Sequence, residues 1–132
     1  MIGVDTNVLV RFLVEDDARQ SAEAATLVDR AIASGEELFV SHIVLCELVW
    51  VLSAAYRVPK AQQVEVLREL LRARHVQFAA SDHVRRAIDA FAKGKGDFAD
   101  YLIREEALAE GCDALTTFDR VLLREPGFSA PS

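Results

Sequence analysis

The stretch LFVSHIVLCELVWVLSAAY, residues 38–56, decides the fold class of this chain of 132 residues. Its first residues, 38–40, are apolar and suit a buried strand, and Ser41 can cap a helix over residues 42–56. The stretch approaches the ~20 apolar residues that cross a bilayer, but Glu47 lies at its centre, where a charge is costly in a membrane. We therefore expect a buried strand followed by a helix, and no membrane insertion.

Strand and helix patterns alternate on both sides of this stretch. Strands are predicted at residues 1–4, 38–40, 76–78 and 114–116. One helix is predicted to begin at residue 6, and others are predicted over residues 18–33, 42–56, 59–72, 81–91 and 97–110. Ser81 is the predicted cap of the helix over 81–91, and a last turn is predicted to end at residue 123. This alternation predicts an α/β fold around a parallel sheet. We expect residues 1–132 to form a single domain, with 126–132 as a loose tail.

The composition fits a compact protein with its own core. Hydrophobic residues make up 52% of the chain, and the low counts of glycine (6) and proline (3) exclude disorder and low-complexity repeats. Cys46 and Cys112 match neither a disulfide framework nor a zinc pattern, so a reducing, cytoplasmic setting is expected. The formal net charge of −6 is unlike that of a protein that simply coats nucleic acid. Contact with nucleic acid would therefore require the acids to be concentrated under a cation.

Several carboxylates lie where the predicted elements would bring them to one edge of the sheet. Asp5 and Asp119 follow strands, and Glu47 lies one to two turns after another strand. Asp97 and Asp100 share the first turn of a predicted helix. Most of them can also be interpreted simply as helix caps. Glu47 cannot, because a carboxylate in so apolar a helix requires a basic partner, a metal or a cleft.

Carboxylates gathered at one edge would repel one another unless a cation lay among them. Oxygen ligands without histidine or cysteine favour Mg²⁺ or Mn²⁺ over zinc. Such a site activates water and holds phosphoryl oxygens, so a phosphodiester is the natural substrate. Other chemistries have no support, since the three histidines form no metal pattern and Gly94-Lys95-Gly96 is a lone fragment of a phosphate-binding loop.

Four short motifs occur in order along nearly the whole chain. They are Val4-Asp5-Thr6-Asn7, Ser41-x-x-Val44-x-Cys46-Glu47-Leu48, Asp97-Phe98-Ala99-Asp100-Tyr101-Leu102-Ile103 and Thr116-Thr117-Phe118-Asp119. Together they resemble the PIN domain, and more narrowly the VapC-type toxins of bacterial toxin–antitoxin pairs. The resemblance implies a three-layer α/β/α fold with a central parallel sheet flanked by helices. It also implies an endoribonuclease that depends on Mg²⁺, for which Mn²⁺ can substitute.

The resemblance also assigns roles to particular residues. The carboxylates that match the catalytic, metal-binding positions are Asp5, Glu47, Asp97, Asp100 and Asp119. The small polar residues that match positions beside the metal are Thr6, Asn7 and Thr117, with Ser41 as a weaker candidate. The bases placed by sequence position to contact RNA phosphate are Arg11, Lys93, Lys95 and Arg120, which are equally well interpreted as solvated charges.

The implied partners are the RNA substrate, a small antitoxin whose tail covers the active-site groove, and a second copy in a homodimer. A catalytically silent PIN-like binding or scaffold module is the alternative function. A haloacid-dehalogenase-like phosphatase would need an acid at the position of Asn7. A receiver domain would need a phospho-accepting aspartate and a lysine, each at the end of a strand, and neither is visible.

Overall fold

The computed structural model describes residues 1–132 and contains six α-helices and five short strands. The helices are α1 (Thr6–Leu13), α2 (Ala18–Ser34), α3 (His42–Ala54), α4 (Lys60–Arg72), α5 (Ser81–Lys93) and α6 (Phe98–Ala109). The strands are β1 (Ile2–Gly3), β2 (Leu38–Val40), β3 (Val76–Phe78), β4 (Leu115–Thr116) and β5 (Phe128–Ser129). The chain divides into two compact units, Met1–Ala79 and Ala80–Ser132.

The unit Met1–Ala79 is built on a parallel sheet in the order β1-β2-β3. Its central strand β2 pairs Leu38 with Ile2 on one side and with Val76 on the other. Leu38 and Val40 are buried, and α1 packs against both α2 and α3. Parallel strands end at the same edge of a sheet, so Asp5 after β1 and the start of α3 after β2 lie on that edge.

The unit Ala80–Ser132 consists of the packed pair α5 and α6 with the parallel strands β4 and β5. Phe91 and Phe98 meet edge to face in its core, with ring centroids 6.0 Å apart. Leu115 of β4 pairs with Phe128 of β5. A 3₁₀ turn, Leu122–Arg124, lies between these two strands in the chain and carries the buried side chain of Leu122.

The predicted α/β class is confirmed, because every strand pair in the structure is parallel. The strands form two sheets, one in each unit. Ser41 caps α3 as expected, since its hydroxyl accepts a hydrogen bond from the Val44 N–H at 3.1 Å. No helix in the structure combines the length and the apolar character that crossing a bilayer requires.

Two local predictions are wrong. Ser81 does not cap α5 but begins it; the cap position is Ala80, whose φ of 44° is left-handed and whose side chain offers no hydrogen bond. Residues 126–132 are not a loose tail throughout, because Phe128–Ser129 forms β5 and Phe128 is buried. A strand this short is too brief to show an alternating pattern in sequence. The prediction of a single domain over residues 1–132 stays a prediction.

Candidate functional site

Asp5 occupies the cap position of α1. Its Oδ1 accepts a hydrogen bond from the Val8 N–H at 3.0 Å, which satisfies one of the free donors of the first helical turn. The side chain is nevertheless exposed. The cap interpretation is therefore correct for Asp5, and it leaves the residue accessible for a second role.

Glu47 lies on the exposed side of α3. The apolar sequence of α3 does not bury this carboxylate, and the helix also exposes two of its large apolar side chains, Ile43 by 73% and Trp50 by 69%. Instead of a basic partner, the carboxylate has a neutral one: the Thr6 hydroxyl donates to Glu47 Oε1 at 3.0 Å. The start of α1 and the middle of α3 are thus joined by two of the predicted site residues.

A cleft of about 300 Å³ in the first unit is lined by Asp5, Asn7 and Arg11, among others. The Arg11 guanidinium donates to Gln20 Oε1 at 2.6 Å, to Asp16 Oδ1 at 3.0 Å and to the Tyr56 hydroxyl at 3.3 Å. Arg11 thus acts as a brace that connects α1 to the start of α2, to the loop before α2 and to the turn that follows α3. It is a weaker candidate for an RNA contact than its position in the sequence indicates.

Two carboxylates form a reciprocal cap at the start of α6. Asp97 is the cap residue, and its backbone N–H donates to Asp100 Oδ2 at 2.9 Å. Asp119 is held in a similar way, because its Oδ1 accepts from the Val121 N–H at 2.9 Å and its own N–H donates to Thr117 Oγ1 at 3.0 Å. The Thr117 hydroxyl is therefore bonded to the backbone of Asp119, and its expected place beside a metal stays a prediction.

The electrostatics at Asp100 go beyond capping. Burial raises the pKa of this carboxyl above its usual value, and repulsion from Asp97, Asp119 and Glu125 raises the pKa further, against the hydrogen bond from the Asp97 backbone. The charges of three neighbouring acids thus act on the Asp100 carboxyl. A cation among them would relieve this repulsion, whereas the capping interpretation alone gives no reason for it.

The carboxylates do not form a ready-made metal cluster. No group of three or more His, Cys, Asp or Glu side chains is arranged to hold an ion. Asp5, Asp100 and Asp119 each direct an oxygen to a backbone N–H, which satisfies that donor. The chemistry of the donors, oxygen only, nevertheless fits Mg²⁺ or Mn²⁺. The predicted ligand types therefore suit the metal, while one oxygen each of Asp5, Asp100 and Asp119 is bonded to the protein's own backbone.

A basic cleft of about 450 Å³ lies in the second unit. It is lined by Lys93, Gly94, Lys95, Arg120, Val121, Arg124 and Glu125. Three of the bases predicted to contact RNA lie here together, and Arg124 joins them although it was not predicted. The sequence carried no signal for Arg124, because the residue lies on the 3₁₀ turn Leu122–Arg124 and in no α-helical pattern.

The buried side chain of Tyr101 contacts Glu125, one of the residues that line the basic cleft. Its side chain is completely buried, and its hydroxyl lies 2.8 and 2.7 Å from the two carboxylate oxygens of Glu125. Burial and this hydrogen bond raise the pKa of Tyr101 to about 12. The phenol therefore remains a hydrogen-bond donor over the pH range in which the protein would work.

Comparisons with known proteins agree with the motifs. The family model described as PIN domain matches residues 2–127. The chain therefore belongs to the PIN domain family, which confirms the predicted PIN-like α/β/α class. Within the curated proteins, it is similar to one described as VapC ribonuclease from Aquifex aeolicus (strain VF5). The two are 29% identical over 118 residues, which cover 89% of this chain and 86% of that protein.

Proposed function

We propose that the protein is a Mg²⁺-dependent endoribonuclease and the toxin component of a type II toxin–antitoxin pair. Membership of the PIN family and the similarity to a VapC ribonuclease support this proposal. The structural observation that carries it is the cleft lined by the bases Lys93, Lys95, Arg120 and Arg124. Asp97 and Asp119 lie within two residues of these bases in the chain, and burial together with the charges of these two acids raises the pKa of the Asp100 carboxyl. Repelling acids next to a basic cleft are suited to a divalent cation and a phosphodiester.

The proposed metal-binding and catalytic residues are Asp5 and Glu47 of the first unit and Asp97, Asp100 and Asp119 of the second. When bound, Mg²⁺ or Mn²⁺ supplies an acidified water and neutralises charge on the phosphodiester. Among the polar residues, Thr6 orients the Glu47 carboxylate, and Thr117 holds the backbone of Asp119. Ser41 fixes the start of α3, which carries Glu47, and Asn7 borders the cleft beside Asp5.

The proposed substrate is an RNA chain, whose phosphates would be attracted by Lys93, Lys95 and Arg120 in the basic cleft. Hydrolysis by water would leave a 5′-phosphate and a 3′-hydroxyl, with no covalent enzyme intermediate. A small antitoxin would cover the site in the cytoplasm. A second copy of the chain would complete a homodimer.

Cleavage of purified total RNA with and without Mg²⁺ tests the proposal. The variants are Asp5→Asn, which keeps a good helix cap, and Glu47→Gln, which keeps an acceptor for Thr6. Asp29→Asn, at an exposed carboxylate of α2, is the control. We expect metal-dependent cleavage by the wild type and the control, and its loss in both site variants with folding intact.

The alternative function predicts a different result. A silent binding module would leave every RNA intact with either metal, in the wild type as in the variants, while circular dichroism reports a folded protein. That outcome would overturn the proposed ribonuclease.

A further inference from the structure

The loop between α5 and α6 is tied to Tyr101 and Glu125 through its backbone. The Gly96 N–H donates to the Tyr101 hydroxyl at 2.8 Å, and the Lys95 N–H lies 3.4 Å from Glu125 Oε2. The same hydroxyl bonds the Glu125 carboxylate. A completely buried phenol and the acid that it holds therefore determine where this loop lies.

The two glycines of the loop are needed for that fit. A Cβ at Gly94 would overlap Tyr101 Oη and Glu125 Oε1, and a Cβ at Gly96 would lie 2.5 Å from Leu122 Cδ2. Neither glycine has a left-handed φ, so both serve close approach and not an unusual turn. The Gly94-Lys95-Gly96 fragment thus has a structural purpose: it lets the backbone lie flat on the pair while the Lys95 side chain stays exposed.

The charges around this loop are unbalanced. Lys93, Lys95, Arg120 and Arg124 line one cleft, and none of these side chains forms an ion pair in the structure. Glu125 is the one carboxylate among the lining residues, and it accepts the Tyr101 hydrogen bond. Such an excess of cations in a chain of net charge −6 indicates an anionic ligand.

We propose that this cleft is a preformed binding site for the backbone phosphates of RNA, with Arg124 as its fourth cation and Tyr101–Glu125 as the pair that positions it. The identity of the ligand rests on the proposed ribonuclease function. Its location supports that choice, because Arg120 directly follows Asp119 and Lys95 lies two residues before Asp97. Phosphates bound here lie next to two of the carboxylates proposed for cleavage.

Binding of a short fluorescein-labelled single-stranded RNA, followed by anisotropy in EDTA, tests the site without any cleavage. The parent is the full chain carrying Asp5→Asn. Over about 50 to 200 mM salt, Lys95→Gln and Arg124→Gln should each weaken binding by about fivefold and lower the salt slope by about 0.7, the value for one phosphate contact of a single strand. Arg74→Gln, an exposed arginine that does not line the cleft, is the matched control and should change neither.

The positioning role is tested by two variants of the pair. Tyr101→Phe removes the acceptor of the Gly96 N–H. At a temperature well below the melting temperature of this variant, RNA binding should be weaker and the salt slope of binding should be smaller than in the parent. Glu125→Gln keeps an acceptor for Tyr101 and removes a negative charge, so it should bind RNA at least as tightly as the parent. A merely structural Tyr101 would lower the melting temperature and leave the salt slope unchanged.

Three results would overturn the inference. The first is equal affinity and slope for Lys95→Gln, Arg124→Gln and the parent. The second is an unchanged slope in Tyr101→Phe. The third is the same loss of affinity and of salt slope in Arg74→Gln, which would indicate a general attraction to positive charge and no defined site.

Two outcomes separate RNA binding by the cleft from RNA cleavage by the carboxylates. RNA binding that depends on the cleft, in a protein that cleaves no RNA with either metal, would uphold the site and overturn the ribonuclease. Metal-dependent cleavage by a protein whose RNA binding is unchanged by the cleft variants would uphold the ribonuclease and overturn the site.

Discussion

The Thr6 hydroxyl donates a 3.0 Å hydrogen bond to Oε1 of Glu47, and so joins the first residue of α1 to the middle of α3. Thr6 also directly follows Asp5, the cap of the same helix. One hydrogen bond thereby connects Glu47 to the residue that directly follows Asp5. If Glu47 binds the proposed metal, Thr6 would orient one of its ligands, and the loss of such a group commonly has a large effect on activity.

Thr6→Val should impair RNA cleavage much more than it impairs folding. The variant keeps the shape of the side chain and removes the donor to Glu47, so the carboxylate loses its orientation. We expect the cleavage rate to fall about tenfold, and the free energy of unfolding in urea to fall by no more than about 1 kcal/mol. Thr6→Ser keeps the hydroxyl and should retain most of the activity. Wild-type cleavage rates in Thr6→Val would show that Glu47 needs no such support.

The brace around Arg11 should make stability depend on acid pH. The hydrogen bond from Tyr56, together with the charge of Arg11, lowers the pKa of Asp16 in the folded protein. A carboxyl with a lowered pKa stabilises the fold above its unfolded pKa, and this contribution disappears as the pH falls through the folded value. Asp16→Asn should therefore be less stable than the wild type at neutral pH, and the difference should shrink as the pH falls below about 4.

Urea unfolding at a series of pH values measures this effect, with Asp29→Asn as the control. Asp29 is an exposed carboxylate of α2 that has no part in the brace. A constant difference between Asp16→Asn and the wild type from neutral pH to pH 3 would contradict the prediction.

Most of the elements could be predicted because their signals are local. The strand at residues 38–40 is a short apolar run followed directly by a capping serine, and both features are where the pattern predicts them. The cap of α5 was missed because Ala80 adopts a left-handed φ, a conformation for which alanine has no preference. Strand β5 was missed because its partner, β4, lies outside any local window.

In the candidate site, too, some features have a local signal in the sequence and others depend on the fold. Which carboxylates follow a strand can be read from the sequence, as Asp5 and Asp119 show. Which side of a helix faces solvent cannot be read from a helix as apolar as α3, where Glu47, Ile43 and Trp50 are all exposed. The basic cleft needs the fold as well, since Arg124 joins it only through the 3₁₀ turn.

Gly94→Ala should destabilise the fold through overpacking. The added Cβ would overlap Tyr101 Oη and Glu125 Oε1, so we expect a loss of about 2 kcal/mol. Gly3→Ala is the matched control, because nothing lies within 4 Å of a Cβ there, and it should be within about 0.5 kcal/mol of the wild type.

A double variant locates the cause of that loss. In Gly94→Ala with Tyr101→Phe, the overlapping hydroxyl is gone, so the combined loss should be smaller than the sum of the two single losses. The recovery should be partial, because the Ala90 carbonyl still lies 2.9 Å from the new Cβ. Additive losses in urea unfolding would show that Tyr101 does not limit the space at Gly94.

Phe128→Ala should destabilise the protein although the residue lies a few positions from the end of the chain. The Phe128 ring is buried, meets the Tyr101 ring edge to face at 6.2 Å, and has the Arg104 guanidinium 5.4 Å from its centroid. Its removal leaves a cavity at the inner face of β5, so we expect a loss of about 3 kcal/mol in urea unfolding. Phe118→Ala deletes the same side chain where it is 87% exposed, and it should be nearly neutral. Equal effects of the two substitutions would mean that β5 contributes no more to stability than a loose tail would.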